Sequence, residues 1–149
     1  MIRRLSNKLP DNWAAALPRY TPSDPALATR KLSENVLNKI ADIMPELIGG
    51  SADLTGSNLT QWKTAVDFQH PTSGIGNYKG RYIRYGVREH AMAAAMNGIA
   101  AYGGLIPFGG TFLNFITYAW GSVRLSALTG LRVIYIMTHD SIGLGMYMQ

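Results

Sequence analysis

The fold of this chain is decided by residues 82–90, which read YIRYGVREH, and by the run AMAAAMNGIAAYGG that follows at residues 91–104. The first residues of this stretch are aromatic and β-branched strand formers. From Arg88 onward the apolar residues recur at helical spacing, and the two final glycines are typical of a helix end. The stretch therefore predicts a short strand, a sharp turn at Gly86 and a helix.

Glu89 lies in the first turn of this predicted helix, where the helix dipole favours a negative charge. The same position is the carboxyl end of a strand, where open α/β sheets bind their ligands. On this stretch alone, a carboxylate that only complements the dipole is the commoner case, and a functional carboxylate is the alternative.

Size and composition indicate one well-buried domain. The chain has 149 residues, which is enough for one domain with its own core. Hydrophobic residues make up 47% and charged residues 15%, a balance that is typical of a globular α/β domain and excludes a disordered chain. Because the chain has no cysteine, a disulfide framework and a thiolate metal site are both excluded.

The charge pattern favours small anionic ligands over nucleic acid. The formal net charge is +5, but the basic residues are scattered and form no stripe. Isolated arginine and histidine side chains suit phosphorylated small molecules, so we expect no nucleic-acid partner. No apolar run is long enough to span a bilayer, and residues 1–5 are not followed by the apolar segment of a secretory signal. We therefore expect no membrane association and a cytoplasmic location.

Elements along the chain are predicted from periodicity and from turn residues. Four prolines interrupt residues 1–25, which we interpret as an N-terminal linker or arm, and residues 26–149 form the predicted domain. The predicted fold class is α/β, an incomplete parallel sheet with helices on both faces. Strands are predicted near residues 46–49, 82–85, 105–108 and 132–137, and helices near 24–43, 58–68, 88–102 and 112–128.

Three details of these elements can be tested directly. Pro107 weakens the third predicted strand, which is then short at best. Thr111 is predicted to cap the helix that follows it. Residues 132–137 are β-branched and apolar along most of their length, so they predict the most deeply buried strand of the chain.

Polar and aromatic residues follow several of the predicted strands. Asp53 and Ser57 come after the first strand, where small residues let a ligand approach the backbone, although an ordinary helix cap is equally compatible. Phe112, Phe115 and Tyr118 recur at intervals of three, near one helical stripe. Such a stripe fits core packing, and it also fits a pocket for a flat heterocycle.

Three separate motifs resemble one known family. Residues 49–55 read GGSADLT, residues 86–92 read GVREHAM and residues 138–143 read THDSIG. In this order they closely resemble the pyrimidine-binding domain of transketolase, a thiamine-diphosphate enzyme, in a fungal-like form. The resemblance runs from about residue 9 to residue 145, and it implies the thiamine-diphosphate-binding fold of that domain.

The resemblance also implies roles for side chains whose function the pattern alone leaves open. It makes Glu89 the catalytic carboxyl group, hydrogen-bonded to ring nitrogen N1′ of the cofactor so that the ring can remove the C2 proton. On pattern alone, Arg30 would be a solvated surface arginine and His139 a hydrogen-bonded loop histidine. The cofactor-binding residues implied are Asp53, Leu54, Glu89, Phe112, Phe115 and Tyr118. The substrate-binding residues implied, on the sugar phosphate, are Arg30, Ser57 and His139.

The activity implied by the resemblance is transfer of a two-carbon ketol unit from a ketose phosphate to an aldose phosphate, in the pentose phosphate pathway. The cofactor implied is thiamine diphosphate with a Mg or Ca ion. The ligands of that ion belong to a part of the family that this chain lacks, so we expect no metal ligand here. The partners implied are sugar phosphates and a second subunit, in a homodimer or with a complementary transketolase chain.

The chain departs from the family pattern at residues 146–149, which read MYMQ. The family continues with EDGPTHQ at this point, and its donor-sensing aspartate would fall at Tyr147. We therefore expect a C-terminally truncated half-site that is inactive alone. Two alternatives stay open: a relative similar to dihydroxyacetone synthase, and a non-catalytic remnant that retains the fold and the dimer surface.

Overall fold

Six strands form one sheet in the computed structural model of this chain, which describes residues 2–140. Every strand pair is parallel, so the carboxyl ends of all strands meet at one edge. The order across the sheet is β3-β2-β4-β1-β5-β6. Tyr147, where the donor-sensing aspartate of the family would fall, lies outside the described residues. The strands are β1 Leu47–Ser51, β2 Asp67–Phe68, β3 Gly76–Asn77, β4 Tyr82–Arg84, β5 Ile106–Phe112 and β6 Ile134–Thr138.

Helices pack on both faces of this sheet, which confirms the predicted fold class. One face carries a buried core cluster that includes Leu37, Ala41, Trp62 and Phe108. On the other face, Met92 packs in a second cluster. No described helix has the length and apolar character needed to cross a membrane. The helices are α1 Ile2–Leu5, α2 Thr29–Ile40, α3 Thr55–Asn58, α4 Glu89–Tyr102 and α5 Ile116–Leu128.

The central stretch folds as its sequence predicts. Strand β4 is followed by Gly86 in the left-handed region, with φ of 67°, which gives the sharp turn. Arg88 is the N-cap residue of α4, and Glu89 is the first residue of the helix. The helix ends at Tyr102, and Gly103 follows with φ of 91°. These boundaries agree with the prediction because both turns need a conformation that glycine adopts without strain.

Strand β5 corrects the prediction of a short, weak strand around Pro107. It spans seven residues between β1 and β6, and Pro107 is fully buried in it. The backbone N–H of Ile106 points toward β1, where it donates to Glu46. The missing N–H of Pro107 therefore points to the other side, where the pairing with β6 begins only at Phe108 and Ile134. The proline removes no ladder hydrogen bond, so the strand continues through it.

Two predicted helices have different boundaries in the structure. The helix predicted from residue 24 begins at Thr29, because the Asp24 carboxylate is used in a turn in which it accepts from the Thr21 N–H at 2.6 Å. The prediction of a helix over residues 58–68 is wrong. Helix α3 ends at Asn58, and Leu59 adopts a left-handed backbone conformation with φ of 55°. The residues after Leu59 turn back across α2, where tertiary hydrogen bonds replace helical ones.

The predictions for Thr111 and for the last strand are also wrong. Thr111 does not cap a helix: it lies fully buried inside β5, and a 3₁₀ turn at Leu113–Phe115 precedes α5. Strand β6 is the edge strand of the sheet within residues 2–140, and Ile134 is 42% exposed. Its apolar composition reflects packing on the face of β6 rather than complete burial.

Residues 2–25 contain more contacts than the predicted irregular arm. They include α1 and a 3₁₀ turn at Trp13–Ala16, and Trp13 packs against the first core cluster. The Arg3 guanidinium donates two hydrogen bonds, of 2.7 and 2.9 Å, to the buried Glu46 carboxylate just before β1. Arg4 Nε lies 3.7 Å from the same carboxylate. This ion pair fixes the arm to the amino edge of the sheet, opposite the predicted site.

The pair between Arg3 and Glu46 should make stability depend on pH. The Arg3 hydrogen bonds hold the pKa of Glu46 below its usual value, although burial acts in the opposite direction. A lowered folded-state pKa stabilises the fold above the unfolded pKa of about 4.3, and this stabilisation is lost as pH falls through the folded value. Glu46→Gln should therefore lower the urea midpoint at pH 7, and the gap from the parent chain should shrink below about pH 4. An equal gap at both pH values would contradict this.

Candidate functional site

The residues predicted to form the site follow different strands and meet at the carboxyl edge of the sheet. Asp53 and Leu54 follow β1, and Glu89 follows β4. Phe115 follows β5 and His139 follows β6. The parallel topology places these loops side by side, in the position where open α/β sheets bind ligands.

Glu89 lies in a cleft of about 670 Å³ with largely apolar walls. Its side chain comes from the N-terminus of α4 and is only 8% exposed. The Glu89 carboxylate takes part in none of the salt bridges found among residues 2–140. A buried carboxylate without an ionic partner can serve as a hydrogen-bond partner for a ligand. The cleft is lined by Val87, Arg88, Glu89, His90, Ala91, Phe115 and Tyr118.

The predicted aromatic stripe forms a continuous row of rings. Phe112 stacks on Phe115 with ring centroids 5.6 Å apart, and Phe115 lies 5.9 Å from Tyr118. Phe115 and Tyr118 line the cleft beside Glu89. Phe112 instead lies against the His139 ring, with centroids 4.1 Å apart. The row therefore extends from the carboxylate cleft to the end of β6, and Phe112 belongs to its far end.

Arg30 and His139 are brought together although they are 109 residues apart in the chain. Nη1 of Arg30, in the first turn of α2, is in hydrogen-bond contact with Nε2 of His139. Burial lowers the pKa of His139, and the positive charge of Arg30 lowers it further, while Asp140 acts to raise it. A fixed cation beside a histidine that can gain a proton is an arrangement suited to an anionic group.

The loop after β1 places the remaining predicted residues near the same end of the sheet. Asp53 is exposed and left-handed, with φ of 61°, and Leu54 precedes α3. Ser57 is exposed on α3. Its neighbour Asn58 accepts a hydrogen bond of 2.5 Å from Thr138 at the end of β6. Ser57 is thus one residue from the contact that joins α3 to the strand carrying His139.

Sequence reasoning missed two residues of this edge, Asp140 and His90. Asp140 accepts a hydrogen bond of 2.8 Å from the Asn114 N–H, so it holds the 3₁₀ turn between Phe112 and Phe115. His90 lines the cleft next to Glu89. Asp140 and His90 each follow a predicted site residue directly in the sequence, and this adjacency could have identified them.

The apolar cleft fits a flat heterocycle with one polar edge better than it fits a diphosphate. It offers two aromatic rings and one buried carboxylate. Among residues 2–140, no group of three His, Asp or Glu side chains stands close enough to hold a metal ion. The cleft therefore suits a flat ring that can hydrogen-bond to the Glu89 carboxylate.

The family comparison agrees with this geometry. Residues 25–147 match the family model described as "Transketolase, pyrimidine binding domain". Among curated proteins, Transketolase 1 of Saccharomyces cerevisiae is 66% identical over 146 residues, which are 97% of this chain and 22% of that protein. The probable transketolase of Schizosaccharomyces pombe is 63% identical over 143 residues, 96% of this chain and 21% of that protein.

Solved structures give the same result. The transketolase of Pichia stipitis in complex with sedoheptulose 7-phosphate superposes with a TM-score of 0.93 at 65% identity, over 97% of this chain and 21% of that chain. Transketolase from Leishmania mexicana gives a TM-score of 0.87 at 53% identity, over the same shares of the two chains. The chain thus spans about a fifth of the length of these relatives. It belongs to the transketolase family, as a representative of the pyrimidine-binding domain.

Proposed function

We propose that this chain supplies the pyrimidine-binding half of a thiamine-diphosphate site for a transketolase-type reaction. That reaction transfers a two-carbon ketol unit from a ketose phosphate to an aldose phosphate. The proposal rests chiefly on the buried Glu89 carboxylate, which lies at a helix N-terminus in an apolar cleft beside Phe115 and Tyr118.

Thiamine diphosphate, when bound, supplies the carbanion chemistry of such a transfer. Phe115 and Tyr118 would bind the faces of the aminopyrimidine ring and exclude water from it. Glu89 would hold a proton at ring nitrogen N1′, and its position in the first turn of α4 fixes the direction of that hydrogen bond. Asp53 and Leu54 would contact the cofactor from the loop after β1. Phe112 would support Phe115 by stacking on it.

The sugar phosphate would bind at the other end of the aromatic row. Arg30 contributes a permanent positive charge, and His139 contributes a ring nitrogen that can be protonated. Ser57, exposed on the neighbouring helix, would add a hydroxyl group. The Pichia stipitis transketolase structures in complex with sedoheptulose 7-phosphate and fructose 6-phosphate support a phosphorylated sugar as the ligand class.

The rest of the site would come from protein outside this chain. The diphosphate and its Mg or Ca ion need ligands that the described residues do not provide as a cluster. We propose that a second subunit completes the site, in a homodimer or with a complementary transketolase chain. A cytoplasmic location stays a prediction from the sequence.

The chain alone should show no measurable ketol transfer and should bind the cofactor only weakly. Stacking and one carboxyl hydrogen bond contribute about 1–3 kcal/mol together, which corresponds to binding weaker than millimolar. The test measures cofactor binding by calorimetry and turnover of xylulose 5-phosphate, first for the chain alone. Both are then measured after co-expression with an S. cerevisiae transketolase that lacks the matching segment.

The outcomes of this experiment distinguish three hypotheses: a transketolase half-site, a non-catalytic remnant and a dihydroxyacetone synthase-like relative. Turnover only in the complemented sample supports the proposal. Robust turnover by the chain alone would overturn the half-site argument. A complemented sample that assembles and binds cofactor but transfers no ketol unit would favour a non-catalytic remnant. Turnover restricted to acceptors other than aldose phosphates would favour a dihydroxyacetone synthase-like relative.

A further inference from the structure

A buried hydrogen-bond network, formed by Ser51, Asn58, Thr138 and His139, runs beneath the candidate phosphate site from β1 through α3 to β6. Ser51 and Asn58 are buried, with exposed fractions of 1% and 0%, and Thr138 is 6% exposed. Asn58 Nδ2 lies 3.0 Å from Ser51 Oγ, and Asn58 Oδ1 lies 2.5 Å from Thr138 Oγ1. Thr138 Oγ1 in turn lies 2.9 Å from Nδ1 of His139. The network thus ends at the His139 imidazole ring, which also contacts Arg30.

The donor and acceptor of each hydrogen bond in this network are fixed by two backbone groups beside Ser51, the Gly110 carbonyl and the Leu54 N–H. The Gly110 carbonyl can only accept, so the Ser51 hydroxyl must donate its single proton to it, at 3.0 Å. The Ser51 oxygen then accepts from the Leu54 N–H at 3.2 Å and from the Asn58 side chain. Only the amide nitrogen of Asn58 can donate to it, so Oδ1 of Asn58 must face Thr138.

The same reasoning continues to the histidine. The oxygen Oδ1 of Asn58 can only accept, so the Thr138 hydroxyl donates its single proton to it. The Thr138 oxygen has no further proton, and its contact with Nδ1 of His139 requires that Nδ1 carry one. We infer that Asn58 and Thr138 are positioning residues, which hold neutral His139 in the Nδ1–H tautomer and leave the lone pair of Nε2 facing Arg30.

The surroundings of His139 agree with this tautomer. Arg30, from α2, has only N–H donors to offer, so the contact with Nε2 needs an acceptor there. The Phe112 ring, from β5, packs against the imidazole, and Thr138 holds its other nitrogen. Asp140 follows His139 in the chain and is engaged by the Asn114 N–H. These groups present a neutral imidazole in one orientation, and the lowered pKa of His139 is consistent with it.

The inference deepens the proposed function and rests on it in one respect. If the anion that binds between Arg30 and His139 is a phosphate group, its oxygen replaces the Arg30 contact at Nε2. The ring then gains a proton at Nε2, because Nδ1 is already protonated and committed to Thr138. The bound imidazolium can donate from both nitrogens at once. Binding of phosphate should therefore be accompanied by proton uptake at this one ring.

Nitrogen-15 NMR of the histidine rings tests the inference on the full chain without any ligand. The chain has three histidines, and a His139→Asn variant identifies the signals of His139. Above the pKa of the ring, the parent chain should show His139 in the Nδ1–H form. Arg30→Ala should preserve this form, because Thr138 still accepts from Nδ1–H. Arg30→Ala combined with Thr138→Val, which removes the hydroxyl group at nearly constant shape, should shift His139 mainly to the Nε2–H form. Arg30→Ala combined with Thr138→Ser keeps the hydroxyl group and should preserve the parent pattern.

Each outcome decides the inference. Finding His139 in the Nε2–H form in the parent chain would overturn it, whether or not the Thr138 variants fold. An Nδ1–H form that persists in a folded Arg30→Ala/Thr138→Val protein would overturn it as well, and so would its loss in Arg30→Ala alone. A parallel titration with inorganic phosphate addresses the proposed function separately. If His139 has the predicted tautomer but gains no proton with phosphate, the phosphate role fails and the positioning role of Thr138 stands.

Discussion

Replacing Glu89 with glutamine should remove most ketol-transfer activity from the complemented protein while leaving the fold intact. Glutamine keeps the size of the side chain but cannot share an ionisable proton with a ring nitrogen. Positioned proton transfer of this kind contributes about 10²–10⁴ in rate, so kcat should fall by about that factor at saturating cofactor. The measurement is steady-state turnover of xylulose 5-phosphate, with circular dichroism as the check on folding.

Arg30→Ala is the matched comparison for Glu89→Gln. It removes a charge from the other end of the aromatic row, at the contact with His139. We expect it to raise KM for phosphorylated substrates much more than it lowers kcat, because it removes a binding contact and not the proton-transfer group. Full activity of the Glu89→Gln protein would disprove the role proposed for the carboxyl group. The same kinetic pattern in both variants would show that the two ends of the site are not separate.

Replacing Gly49 with alanine should destabilise the fold more than any substitution considered above. Gly49 lies in β1, paired with Tyr82 of β4 on one side and Phe108 of β5 on the other. An added Cβ would lie 1.9 Å from the Phe108 carbonyl oxygen, which belongs to the backbone of the neighbouring strand. A backbone atom cannot move away as a flexible side chain can. We expect a loss of about 3 kcal/mol or more, a large part of the stability of a domain of this size.

Gly98→Ala is the control for this prediction. Gly98 lies exposed inside α4, and an added Cβ there would meet no atom within 4 Å. Alanine in a helix interior is about 0.5–1 kcal/mol more favourable than glycine, so this variant should be slightly stabilised. Urea unfolding followed by circular dichroism compares the two. Equal midpoints for Gly49→Ala and the parent chain would disprove the packing argument.

The parts of the fold that could be predicted are those specified by neighbouring residues. The turn at Gly86 and the start of α4 depend on a local conformation, and the helix end at Gly103 depends on another. The unpredicted parts depend on distant residues. Pro107 is tolerated because β6 begins one residue further along the sheet. The helix expected after Asn58 is absent because residues 63 and 64 hydrogen-bond to α2 and to the turn that follows it.

The same distinction applies to the candidate site. Motif resemblance identified Glu89, Phe115 and Tyr118, and the structure places all three in one cleft. It could not divide the aromatic row between two sites, because the contact between Phe112 and His139 depends on how β5 and β6 pair. Nor could motif resemblance reveal the buried hydrogen-bond network, since the residues of that network come from three different elements. Only the assembled sheet brings these groups within hydrogen-bonding distance of one another.

The long sequence separation between Arg30 and His139 has a consequence for how the protein folds. Their contact closes a loop of 109 residues, which contains β1 to β6 and most of the helices. Bringing such distant residues together costs more chain entropy than forming the local turn and helix after β4. The contact between Arg30 and His139 should therefore be among the last to form, while α4 forms early. If this pair binds an anion as proposed, that binding would report that all six described strands have assembled.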